Sequence, residues 1–404
     1  MSEQIDQKEL DVIIIGTGPA GGQCARELAK LGRRVVLLER SQEIGQPNYS
    51  TAGTPKETVE EFDLPVSVLS ASWNRIYFES TNAKAEWVFP DTRGYVFNFA
   101  DLKKFLAEDA ARHSADIMVG AAATDLIEEN GKYVGVKYKG IFGEGEVRAP
   151  LIVDATGHWG FVNSKLNLNK PPTNDLISAM ELQMSGMPTT LKNTMAFYFG
   201  SVAPQGYAWV FPMEQNCAAK IGIGSYGQLP AGVELKVLLK NFLKKFQTTE
   251  HLEPTEIHGG GGYISPGIKD HVVKNIVMIG DAAYQVNALA YEGIRHALRS
   301  GRLAAHCIHK ALQNNINLTV LKKDYEAGWK NMFGSAWSAS YRNATVLYHQ
   351  FTDKDWDKVV NAYNSLSADD AFEVFFNYRY EKLLKVPQLA LLLGKYIIKN
   401  TFTK

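Results

Sequence analysis

Gly16, Gly18 and Gly21 stand in the run GTGPAG, between the apolar stretch Asp11–Ile15 and the helix-like QCARELAKLG. Spaced in this way, the first glycine lets the chain turn tightly and the second lets an anionic diphosphate approach the backbone. The third lets helix and strand pack closely. Pro19 and Ala20 complete the turn and open the helix, whose free N-terminal amides favour phosphate. A β-branched run, RVVLLER, then ends on Glu39 and Arg40. Glu39 lies about twenty residues beyond the glycines, where a carboxylate accepts hydrogen bonds from a ribose. Strand, turn, helix and distal acid agree, so the spacing predicts a dinucleotide site. The motif alone does not separate FAD from NAD.

A second turn bears on that choice. The strand-like NIVMIGDAA runs into Gly280 and Asp281, and YEGIRHALRSGRLAAHCIHKAL follows with small and apolar residues at helical spacing. The N-terminus of that helix, at Gly293 and Ile294, again presents free amides and a positive dipole end. One amide site for a diphosphate and another for a ring argue for an extended FAD.

On these residues, with LIVDATGHWG between them, the chain resembles flavoproteins of the hydroxylase-type glutathione-reductase fold. The resemblance implies that Asp281 touches the ribityl chain, that amides near Gly293 and Ile294 face the flavin pyrimidine, and that Asp154 and Gly157 lie against the adenine half. PQGYAWVFP, residues 204–212, is similar to the PxxYxWxFP segment of the geranylgeranyl reductase family, which lines a hydrophobic isoprenoid cavity beside the flavin. The implied activity is reduction of carbon–carbon double bonds in an isoprenoid or other lipophilic substrate, with NAD(P)H or ferredoxin as electron donor. An isolated alkene resists a bare hydride, so a proton must arrive with it and water must be kept from the partial cation. Tyr207, Trp209 and Phe211 alternate along one strand and so share a face. Tyr207 and Trp209 are the expected cavity walls, and Tyr49, Ser50, His258 and Tyr284 are the candidate acids. The loop EIGQPNYSTAGT carries Ser50 near the place where family members commonly have a cysteine, and Phe99 replaces a frequent arginine. Other outcomes on the same frame are a monooxygenase or halogenase, a lycopene-type cyclase, or a non-catalytic prenyl-binding escort.

These motifs need an α/β frame: an FAD-binding Rossmann-like domain interleaved with an antiparallel β-sheet substrate domain, followed by a C-terminal helical region. We expect FAD-binding segments at 1–170 and 266–315, with an inserted polar loop around 46–97. A β-rich substrate domain is expected at 171–265 and helices at 316–404. The 404 residues are 45% hydrophobic, enough for sizeable cores. Lys plus Arg and Asp plus Glu are 43 each, so no overall basic footprint for nucleic acid exists. Three scattered cysteines fit a reducing, cytoplasmic compartment rather than a disulfide framework, and the polar N-terminus lacks signal-peptide order. No apolar run is long enough to span a bilayer. The segment from Leu383, with Pro387, Lys395 and Lys399, is expected to dock on the protein, with peripheral contact to an anionic membrane as the alternative. The HGGGG run at His258–Gly262 lacks a GxSxG partner, which excludes a serine hydrolase. His306, Cys307 and His309 lack a fourth ligand at metal spacing, so no metal is expected.

Overall fold

The computed structural model describes residues 9–141, 143–168, 175–247, 252–263, 270–389 and 391–392. Val12–Ile15, Val35–Leu38 and Leu151–Asp154 are buried at every position, the pattern of central parallel strands covered on both faces. They form the middle of a six-stranded sheet, flanked by Asp116–Met118 on one side and by Ile276–Met278 and Val272–Val273 on the other. Register aligns Val12 with both Val35 and Leu151, so these strands end side by side at Ile15, Leu38 and Asp154. Helices Pro19–Lys30 and Ile294–Gln313 cover one face through Ala20, Cys24, Leu28, Ala304 and Ile308. On the other face, Tyr133, Val136 and Val147 of a three-stranded meander pack against Ile13, Ile15, Val36 and Leu38.

The second large sheet has seven strands. In order these are Pro254–Tyr263, Leu176–Met184, Ala218–Tyr226, Gly206–Met213, Thr194–Tyr198, Arg75–Glu79 and Lys84–Val88. Every pairing is antiparallel except Thr194–Tyr198 with Arg75–Glu79. The two faces of Gly206–Met213 go to different cores. Ala208 and Val210 pack under the amphipathic helix Leu235–Gln247, whereas Tyr207, Trp209 and Phe211 face the C-terminal helices Leu318–Gln350, Asp353–Tyr363 and Ala368–Asn377. The α/β frame, the antiparallel sheet and the helical C-terminal region thus match the sequence expectation.

The inserted polar loop expected around 46–97 is a correction. Gly53–Pro55, Leu69–Trp73 and Gly94–Phe97 form a small sheet, and Arg75–Glu79 and Lys84–Val88 extend the large one. Ile76, Phe78, Ala85 and Trp87 point inward while their charged neighbours point out, a two-residue period that the short polar turns disguise. Among the described residues no helix is long and apolar enough to cross a membrane. Pro387 opens a short helical stretch whose Leu389 is buried against the helical core, while Lys395 and Lys399 lie outside the described residues.

Candidate active site

The glycine turn fits a diphosphate by its sterics. Gly16 has φ +104°, and a Cβ there would sit 2.5 Å from the Ala155 carbonyl oxygen. A Cβ on Gly21 would lie 2.0 Å from the Gly16 oxygen. At Gly18 nothing stands within 4 Å, so the backbone at the helix N-terminus is open to an approaching group. Gly18 caps the helix, Pro19 is its first residue and Ala20 packs inward. Glu39 closes the far side: one oxygen accepts from the Thr17 amide (3.1 Å) and hydroxyl, and the other accepts from the Ser41 amide at 2.8 Å. Arg40 lies 4.9 Å over the exposed ring of Trp159, at the edge of the same turn.

Asp154 holds its own loop. One carboxylate oxygen accepts from the Thr156 amide at 3.0 Å and hydroxyl at 2.6 Å, and the other from the Val162 amide at 2.7 Å. These bonds fold the chain through Gly157, at φ +67°, next to the Gly16 turn, where a Cβ on Gly16 would meet Ala155 and Thr156.

The second turn meets the aromatic strand. One cavity of about 300 Å³ is lined by Asp281, Gly293 and Ile294 on one side and by Tyr207, Trp209 and Phe211 on the other. Phe375 and Phe376 from the C-terminal helices close it, and Tyr49, Ser50 and the glycines 259–262 rim it. Gly280, at φ +61°, makes the bend that presents Asp281, and burial pushes the Asp281 carboxyl up to about 6. The 20-residue helix Ile294–Gln313 aims its N-terminus at this space.

Tyr207 donates its hydroxyl to the Ala290 carbonyl at 2.7 Å and stacks on Tyr291 with ring centroids 4.8 Å apart. Trp209 donates its indole N–H to Glu181 at 3.1 Å. Tyr49 is 54% exposed at the mouth and packs its ring 5.1 Å from His258. Ser50 contributes its backbone, the carbonyl accepting from Lys220 at 2.6 Å. Of the four candidate acids, Tyr49, Ser50 and His258 line the cavity. Tyr284 does not: its left-handed backbone turns the ring into the core with Ile276 and Met278.

Sequence reasoning missed Glu181, Lys220 and Tyr291. The first two were detectable as charged residues inside strands otherwise free of charge, AMELQM and AAKIGIG. Both are buried, Glu181 to 6% and Lys220 to 3% exposure. The HGGGG run is part of an edge strand along the cavity rather than a hydrolase loop. His309 accepts a hydrogen bond from Arg33 at 3.1 Å, joining its helix to the first domain's edge.

A nucleotide-type parallel sheet whose second turn opens onto an aromatic cavity defines a flavin-dependent oxidoreductase, and residues 11–160 match the FAD dependent oxidoreductase family. Residues 175–262 match the geranylgeranyl reductase catalytic domain. The chain is 31% identical over 327 residues to the digeranylgeranylglycerophospholipid reductase of Methanocaldococcus jannaschii, covering 79% of this chain and 82% of that one. It is 30% identical over 371 residues to the enzyme of that name from Thermoplasma volcanium, covering 87% and 90%. A geranylgeranyl bacteriochlorophyll reductase-like protein from Thermoplasma acidophilum superposes with a TM-score of 0.83 at 25% identity, over 94% of this chain and 99% of that one. A flavin-dependent brominase, at 16% identity and a TM-score of 0.66 over 98% and 100% of the chains, shares the fold alone. The chain therefore belongs to the geranylgeranyl reductase family of FAD-dependent oxidoreductases, and its cofactor is FAD.

Proposed function

We propose that this enzyme saturates carbon–carbon double bonds in the isoprenoid chains of a digeranylgeranyl glycerophospholipid or a closely related prenyl lipid. The observation that carries the reading is the single cavity bounded by the Asp281 and Gly293–Ile294 turn on one side and by aromatic rings on the other. In this reading the amides at Gly18, Pro19's neighbours and Gly21 hold the diphosphate, and Glu39 the ribose. Asp281 takes the ribityl hydroxyls, and the Gly293 and Ile294 amides take the ring. Reduced FAD, when bound, supplies a hydride to one alkene carbon.

The remaining work falls to the chain. Tyr207, Trp209 and Phe211 present ring faces that exclude water and stabilise positive charge as it develops on the alkene. Phe375 also borders a smaller apolar cavity of about 50 Å³ lined by Phe78, Leu289, Leu347 and Trp356, which extends the apolar wall past the aromatic strand. Electrons enter from docked NAD(P)H or a ferredoxin-type protein, and the lipid is reached by peripheral contact with a membrane surface.

The test is anaerobic incubation of photoreduced enzyme with the prenyl lipid, followed by mass spectrometry. A gain of two hydrogens per double bond is expected. An unchanged mass with altered retention, as in cyclisation, or no change beside a yellow, dithionite-bleachable protein, refutes the reading. Offering NADPH and reduced ferredoxin separately identifies the donor by which one bleaches the flavin. Trp209→Ala should lower turnover about tenfold or more while leaving flavin content near one per chain.

A further inference from the structure

Reduction of an isolated alkene needs a proton as well as a hydride, and the cavity contains an arrangement suited to deliver one. Two buried side chains on its wall carry polar atoms with no hydrogen-bond partner, Glu181 through Oε1 and His258 through Nδ1. Glu181 sits at the centre of Leu176–Met184, and its other oxygen accepts from the Trp209 indole at 3.1 Å and from the Thr51 hydroxyl. The carboxyl is therefore fixed beside the aromatic strand with one oxygen to spare.

His258 lies directly opposite Glu181 in the antiparallel register, so both side chains leave the same face with Cβ atoms roughly 5 Å apart. Its Nε2 bonds Glu256 at 2.8 Å, and the Glu256 side chain is 57% exposed. Solvent-facing carboxylate, buried imidazole and the carboxyl on the cavity wall follow one another along the sheet; His258 Nδ1 and Glu181 Oε1 do not bond each other, so a relay along this line needs one bridging water between them.

We propose that Glu181 is the acid that protonates the alkene, recharged from solvent through His258 and Glu256. The assignment rests on the reductase reading of the cavity. In the step, the O–H bond of Glu181 breaks and a C–H bond forms at one alkene carbon, using the π pair, while the carboxylate keeps the O–H pair. The other alkene carbon receives the hydride, so the substrate gains two electrons and two hydrogens as the reduced cofactor loses two electrons. A bridging water then carries a proton from His258 Nδ1 to Glu181 Oε1, and His258 takes another by way of Glu256.

Lys220 is the positioning residue. Its buried amine donates to the Ser50 carbonyl at 2.6 Å and more distantly to that of Thr51 at 3.4 Å, which keeps the Thr51 hydroxyl on Glu181. Burial lowers the Lys220 amine, and the carboxylates of Glu181 and Glu256 oppose that shift. Two other cavity hydroxyls are poorer donors. The Tyr207 hydroxyl is committed to the Ala290 carbonyl. The Tyr291 hydroxyl is unpartnered, but burial holds its phenol far above the usual range.

E181Q preserves the side-chain shape and an acceptor for Trp209. Its turnover should fall by about a hundredfold or more, with KM within a few-fold and with flavin content and spectrum as in the wild type. H258N should also slow turnover and recover with added imidazole. A readout without turnover uses an aza-isoprenoid carrying an ammonium nitrogen in place of the alkene carbon, its binding followed by the absorption of oxidised flavin. E181Q should bind this cation about tenfold more weakly and the all-carbon analogue equally well. Turnover of E181Q within threefold of wild type, equal ammonium affinity, or loss confined to Tyr291→Phe overturns the assignment. If the wild type reduces no prenyl lipid, the proposed function falls instead, and the ammonium comparison still decides whether Glu181 addresses a cation in this cavity.

Discussion

Gly222 and Trp209 are directly paired across two antiparallel strands, and the indole lies over the glycine. A Cβ at Gly222 would stand 2.2 Å from Cζ2, 2.3 Å from Cε2 and 2.8 Å from Nε1 of that ring, whereas ordinary contact begins at 3.4 Å. Gly222→Ala must therefore lift the indole by about 1.2 Å into the cavity, the difference between those limits. A displacement of that size is enough to break the 3.1 Å bond from Nε1 to Glu181. Overpacking of this kind costs about 1–3 kcal/mol. The cost should appear as a lower urea midpoint with an unchanged slope. Turnover should drop by about tenfold or more, because the ring proposed to wall the alkene, which also bonds Glu181, has moved. Flavin content should hold, since the glycine turn proposed to hold the diphosphate belongs to the other sheet. Adding Trp209→Phe should recover the stability but not the turnover, because a smaller ring clears the new methyl yet donates no hydrogen bond. Gly222→Ala with wild-type turnover and stability would refute both the placement of the indole and its part in catalysis.

Two further outcomes test other parts of the molecule. Gly21→Ala sets a methyl 2.0 Å from the Gly16 carbonyl oxygen and 3.0 Å from the Ala155 Cβ, so the helix must withdraw from the turn; purified protein should be colourless, and a normal flavin load would show that this turn does not hold the cofactor. His271 is buried between Tyr325 and Trp329, and burial pushes it down to about 4 although Asp270 acts the other way. The folded state therefore refuses a proton that the unfolded chain accepts below about pH 6.5, so stability falls as pH drops from there to about 4. The span of roughly 2.5 units corresponds to about 3 kcal/mol. His271→Phe should flatten urea midpoints across that window, and an unchanged pH slope would rule out His271 as the cause.

The glycine turn was legible because its constraints are local: a tight bend, a close helix and a distal acid all lie within one strand–helix–strand unit. The face of Tyr207, Trp209 and Phe211 was legible for the same reason, since alternation needs no partner. The segment 46–97 was not. Arg75–Glu79 pairs with Thr194–Tyr198, over a hundred residues later, and nothing near either strand encodes that register. Glu181, Lys220 and His258 come from three different strands, and only the sheet brings them to one wall. Each carried a weak signal, a polar residue among apolar or glycine neighbours, but their conjunction is a property of register. Tyr284 failed in the opposite direction, because a single left-handed residue after the Gly280 turn sends an apparently well-placed phenol into the core.

The same dependence on distant pairing explains how the cofactor turn keeps its relation to the substrate wall. Glu292 immediately precedes Gly293 with its side chain 9% exposed; desolvation pushes its carboxyl up, but Arg295, His296 and Tyr378 outweigh that and hold it far below the usual carboxylate range. Arg295 reaches it at 2.7 Å, and Tyr378, which ends the helix bearing Phe375 and Phe376, donates its hydroxyl to it. His296 bonds the same hydroxyl at 2.8 Å. Replacing a buried pair by apolar residues is often neutral for stability, so net stabilisation is a poor account of this cluster. Its effect is positional. The residues that set the Gly293 and Ile294 amides are tied to those that wall the far side of the cavity, so in the proposed reading the cofactor ring and the alkene cannot drift apart by the ångström that hydride transfer does not tolerate.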